Sequence, residues 1–100
     1  MISGMNYISG VITDGFAIAE DLRFYLRRSI LEGKVTLRVS QAANKVFVDS
    51  PNFKSIDAHY VCLSWDTKNQ KINFIWRNDN GEVKVFDTLI ALAEDIEKSI

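Results

Sequence analysis

His59 and Cys62 are the single histidine and the single cysteine of the chain, so nucleophilic chemistry has one pair to draw on. A Cys–His dyad needs sulfur and imidazole within hydrogen-bond reach. The two residues stand three apart in a stretch that alternates like a strand, and odd spacing on a strand sends side chains to opposite faces. Cys62 therefore reads as a structural thiol and His59 as a buried or edge histidine. The same scarcity argues against a zinc site, which takes several Cys or His ligands, and no Asp/Glu cluster suggests a carboxylate site in its place. Gly10 and Gly15 bracket a short segment, but no Gly-Lys-Ser/Thr follows, and Thr13-Asp14-Gly15 reads better as a helix start than as a phosphate cradle. The expectation is a protein without catalytic, cofactor or metal residues, and not an enzyme.

Binding chemistry is better supplied. If the strands pair as a meander, the outward positions collect Arg38, Phe47, Tyr60, Cys62, Ser64, Asn73, Ile75, Arg77, Lys84 and Phe86. Of these, Arg38, Phe47, Tyr60, Ile75, Arg77 and Lys84 are candidate partner-binding residues. Aromatics among cations can stack bases and neutralise phosphates, as sheets that bind RNA or single strands do. Tyr, Phe and Arg are also common hot-spot residues of protein interfaces, and a mixed outer face can equally arise from cross-strand pairing alone. Asp49, Asp66 and Glu82 dilute the basic character, which favours a protein partner over nucleic acid. A second candidate surface lies on the first helix. There Ala17, Phe24 and Leu31 form a narrow apolar stripe away from the main face, with Arg27 and Arg28 beside it as a polar rim. Either the segment before residue 14 covers this stripe, or it makes a partner or homodimer contact.

The elements that must position these residues follow from periodicity. Residues 1–13 read as a short edge strand or an arm. The spacing predicts a helix from Asp14 or Gly15 to Glu32, stopped by Gly33, with Ile18, Ala19, Leu22, Tyr25, Leu26, Ser29 and Ile30 on its broad face. Val35, Leu37 and Val39 alternate inward along the first predicted strand, and a second follows at about residues 45–49. The stretch 50–57 is the longest loop, where Pro51 excludes a central strand. Alternation from Ala58 to Phe86 then gathers Val61, Leu63, Trp65, Ile72, Phe74, Trp76, Val83 and Val85 on one face. Turns are expected at Asp66-Thr67-Lys68-Asn69 and at Asn78-Asp79-Asn80-Gly81, the latter ending in an Asn-Gly hairpin signal. A final helix near residues 88–99, capped by Asp87 or Thr88, presents Leu89, Leu92, Ala93, Ile96 and Ile100. The predicted fold is α+β, a two-layer sandwich with an antiparallel meander of four to five strands and both helices on one face (α-β-β-β-β-β-α).

Composition bounds the rest. One hundred residues, 47% hydrophobic and 25% charged, suit one globular domain spanning 1–100. A formal charge of -1 supplies no global attraction for nucleic acid or an anionic membrane, so any such affinity must come from a local patch. No apolar run approaches membrane-span length, and the first residues lack the pattern of a signal peptide. With a lone cysteine, these features suggest a cytoplasmic protein. The sequence thus points to a small non-enzymatic binding protein of the inhibitor, immunity or adaptor type. It would dock on a larger protein or a protein–nucleic acid machine and act sterically. The alternative is a nucleic-acid-binding module using the same outer face.

Overall fold

The computed structural model describes residues 14–100; the predicted strand or arm at 1–13 lies outside them. Helices α1 (Asp14–Tyr25) and α2 (Arg27–Leu31) lead into strands β1 (Thr36–Val39), β2 (Lys45–Asp49), β3 (Tyr60–Asp66), β4 (Lys71–Arg77) and β5 (Val83–Phe86), and helix α3 (Leu89–Ser99) closes the order. The sheet is an antiparallel meander, β1-β2-β3-β4-β5, with the helices against one face. This is the expected α+β two-layer arrangement.

One apolar core joins the layers. Ile18, Ala19, Leu22 and Leu26 from the first helical region meet Leu89, Leu92, Ala93 and Ile96 of α3. Both press onto Val46, Val48, Val61, Phe74 and Trp76 of the sheet. The predicted first helix is broken at Leu26, between α1 and α2. There the Arg27 guanidinium donates to the Phe24 carbonyl at 2.8 Å, a side chain competing for an acceptor of the helical ladder. Leu26 keeps its bond to the Leu22 carbonyl, so the apolar face runs on across the break. Gly33 stops α2 as expected. With φ +74, it lets its own N–H reach the Ile30 carbonyl and the Lys34 N–H reach that of Ser29. Thr88 caps α3 by accepting from the Ala91 N–H at 3.2 Å. Gly15 allows a close approach, because its N–H donates to the Ala43 carbonyl at 2.9 Å and a Cβ there would sit 2.8 Å from that oxygen.

Strand β5 departs from expectation. Its register pairs Trp76 with Lys84 and Phe74 with Phe86, so Lys84 and Phe86 share the core face. Val83 and Val85, expected inside, lie outside and are 57% and 60% exposed. The cause is the length of one turn. Asn78 and Glu82 pair through their backbones, leaving a three-residue loop of Asp79, Asn80 and Gly81 with Gly81 at φ +79. The buried Asn78 side chain holds this loop by accepting from the N–H groups of Asn80 and Glu82. A four-residue turn would have kept the expected facing, and one residue fewer reverses every side chain of the strand. A second correction concerns Trp65, which is 52% exposed at the far end of β3 rather than part of the core.

Candidate interaction face of the sheet

The sheet face away from the helices is assembled by register. One ladder row runs Arg38–Phe47–Tyr60–Arg77–Val83, and the next runs Lys45–Cys62–Ile75–Val85. Arg38, Phe47, Tyr60, Ile75 and Arg77, all singled out from sequence, therefore lie in two adjacent rows. Lys84 does not join them. It turns to the helical side and its ammonium sits 3.3 Å from the Asp95 carboxylate on α3. The four-residue reading of its turn had placed it outside.

The aromatic rings are covered by cations. The Arg38 guanidinium lies 4.6 Å from the Phe47 ring centre and the Lys45 ammonium 4.8 Å from that of Tyr60, arrangements favoured by the ring quadrupole. Among the described residues no carboxylate lies within ion-pair distance of Arg38, Lys45 or Arg77. The face is thus an apolar strip of Phe47, Tyr60, Ile75, Val83 and Val85 with three cations unmatched by anions. Lys45 escaped notice in the sequence although it stands two residues before Phe47, a spacing that shares a strand face. Val83 and Val85 were legible only through the turn length.

Cys62 sits in the middle of this face, half-buried. Burial raises its thiol pKa, and nearby Lys45 offsets this in part, so the thiol form prevails at neutral pH. His59 faces the other way, as the spacing required. It is 4% exposed, with its ring edge-on to Phe53 at 4.5 Å and its Nε2 2.9 Å from Asp79 Oδ1. Asp79 also accepts from the backbone N–H groups of Lys54 and Ser55, both at 2.8 Å. The long loop 50–58 is thereby tied to the β4–β5 turn, and His59 takes part in this tie on the sheet face opposite Cys62. No cluster of His, Cys, Asp or Glu suited to a metal occurs among the described residues.

The two backbone bonds to Lys54 and Ser55 hold the Asp79 carboxyl below its usual range, with His59 adding to the effect. A depressed folded-state pKa means that the tie is present above the ordinary aspartate value of about 3.9 and is lost as pH falls through the lower folded value. The Asp79 side-chain carboxyl carbon resonance should therefore titrate with a midpoint below the ordinary aspartate value, and the amide resonances of Lys54 and Ser55 should shift with it. A common midpoint above the ordinary value would contradict the assignment.

On the helical side, Phe24 is exposed and Leu31 is 87% exposed, with Arg27 and Arg28 also in solvent. Arg27 folds over the Phe24 ring at 4.6 Å, while Arg28 turns to Glu32 at 3.9 Å. Ala17 instead packs against the core, so the expected stripe is reduced to its two larger members. No helix among the described residues is long and apolar enough to cross a membrane. Compared with known proteins, the chain matches no family model, no curated protein and no solved structure.

Proposed function

We propose that this protein is a non-enzymatic docking module whose outer sheet face binds one partner protein and blocks it sterically, in the manner of an inhibitor, immunity or adaptor protein. The observation that carries this reading is the reversed strand β5. It removes Lys84 from the outer face and adds Val83 and Val85, making the surface more apolar and less cationic than the alternation alone suggests. A nucleic-acid face gains affinity from each phosphate-neutralising cation, whereas a protein interface gains most from a desolvated apolar and aromatic centre. The unmatched charges of Arg38, Lys45 and Arg77 fit a partner patch in which carboxylates surround an apolar centre. Half-buried Phe47, Tyr60 and Ile75 are already held by their ladder neighbours, so little side-chain entropy remains to be lost on docking.

Affinity capture with paired baits tests the proposal. The native protein and a Tyr60→Ala/Arg77→Ala variant are each immobilised and offered host lysate, with and without nuclease. The expected result is a stoichiometric protein retained after nuclease on the native bait and lost from the variant. Retention that depends on nucleic acid, or that is equal on both baits, would argue for the nucleic-acid alternative or for another surface.

A further inference from the structure

The edges of the sheet are not equivalent. At β5, Lys84 points inward from an edge strand, a device that discourages another strand from adding there. Edge strand β1 has no such guard, since its inward residues are Leu37 and Val39. The bond from the Ser40 N–H to the Lys45 carbonyl sets the phase of the β1–β2 ladder. Alternation then turns the backbone N–H and C=O of Leu37 and Val39 away from β2, toward the open side. Among the described residues no strand lies beyond them.

Beside this edge runs a groove of about 520 Å³, lined by Arg23, Arg27, Ile30, Leu31, Thr36 and Leu37. Its lining is mostly apolar, with Arg23 and Arg27 on either side of the break at Leu26, and the Arg27 guanidinium keeps donors beyond the one given to the Phe24 carbonyl. The nearby Glu32 carboxylate is occupied by Arg28 and by Lys34, the latter at 3.2 Å, so it does not neutralise them. No other carboxylate of the described residues comes within ion-pair distance of Arg23 or Arg27.

The geometry points to a second docking site, separate from the outer face and independent of its function: the β1 edge and the adjoining groove take an extended peptide segment of a partner protein, bearing carboxylates next to apolar side chains. The guest backbone pairs with Leu37 and Val39. An apolar side chain enters the groove against Ile30, Leu31 and Leu37, and its carboxylates meet Arg23 and Arg27. Main-chain bonds supply affinity in this mode and side-chain pockets supply selectivity.

The probe is a fluorescein-labelled peptide of sequence Glu-Glu-Val-Thr-Leu-Thr-Val, titrated by anisotropy and by amide shifts of the labelled protein. Saturable binding tighter than about 1 mM is expected, with the largest shifts at Leu37, Val39 and Leu31. Replacing both Thr by Pro, which removes strand-pairing donors, and replacing both Glu by Lys should each weaken binding by about tenfold or more. Arg23→Glu/Arg27→Glu should do the same, while Arg28→Glu, whose side chain turns to Glu32, should change little. The inference is overturned by no binding, by equal binding of the Pro peptide, by equal sensitivity to Arg28→Glu, or by shifts centred on Phe47, Tyr60 and Ile75. Because the probe reads a site away from the outer face, its failure leaves the paired-bait result standing on its own.

Discussion

Trp76→Ala should lower the stability of the fold by about 3–5 kcal/mol, and Phe74→Ala by a similar amount. Trp76 is fully buried, sits between Val61 and Lys84 in the ladder, and approaches the Phe53 ring at 6.4 Å. Removing it opens a cavity where the sheet, α3 and the long loop meet, and the close-packed surroundings can collapse only in part. A loss of that size is a large part of the roughly 5–15 kcal/mol that holds a small domain together. Trp65→Ala supplies the contrast, because Trp65 is half in solvent at the end of β3, and its removal should cost no more than about 1 kcal/mol. Urea denaturation of the two variants measures the difference. If Trp76→Ala melts within about 1 kcal/mol of the parent, the helix-covered face has been assigned to the wrong side of the sheet.

The second large effect is a division between binding and stability on neighbouring strands. Tyr60→Ala and Arg77→Ala should each weaken the partner complex by about 2 kcal/mol or more, roughly thirtyfold, while leaving the free protein folded. Both occupy the central row of the outer face, where a docked partner would exclude water from the ring and the guanidinium. Lys84→Ala should behave in the opposite way. Its loss removes a partly exposed pair with Asp95, so stability should drop by at most about 1 kcal/mol and partner affinity should be unchanged. Isothermal titration with the captured partner, set beside denaturation of each variant, separates these outcomes. A Lys84→Ala variant that binds as poorly as Tyr60→Ala would mean that β5 faces the other way.

Most of the architecture was legible in the sequence because its apolar residues repeat at the helical or strand period. The broad face Ile18–Leu22–Leu26 and the stripe Leu89–Leu92–Ala93–Ile96 appear as expected, and so do the alternating positions of β1 to β4 apart from the exposed Trp65. The facing of β5 was not legible from periodicity. Val83-Lys84-Val85-Phe86 offers two apolar residues to one face and an aromatic residue to the other, so its pattern is nearly symmetric. The decision falls to the turn, where Asn-Gly suggested a loop of even length. The buried Asn78 side chain and the Asp79 bonds to Lys54, Ser55 and His59 fix an odd one. Those bonds join residues twenty or more positions apart, beyond the reach of any local signal. The break at Leu26 was hidden for another reason: the apolar face and the bonds from Leu26 to Leu22 and from Ile30 to Leu26 run on across it, so the periodicity carries no mark of it. The candidate site was readable to the extent that strand alternation fixes faces, which gave Arg38, Phe47, Tyr60, Ile75 and Arg77 but misplaced Lys84.

The most direct test of the outer face as a docking surface uses the lone cysteine that lies at its centre. Cys62 stands between Lys45 and Ile75 in the ladder, half-buried and accessible to a small thiol reagent. Its labelling by a methanethiosulfonate reagent is followed at fixed pH in the free protein and with the captured partner at saturation. A partner seated on Phe47, Tyr60 and Ile75 covers the thiol, and labelling should slow by about tenfold or more, in proportion to complex occupancy. A labelling rate that stays the same at full occupancy would place the partner elsewhere on the molecule and contradict the assignment of this face.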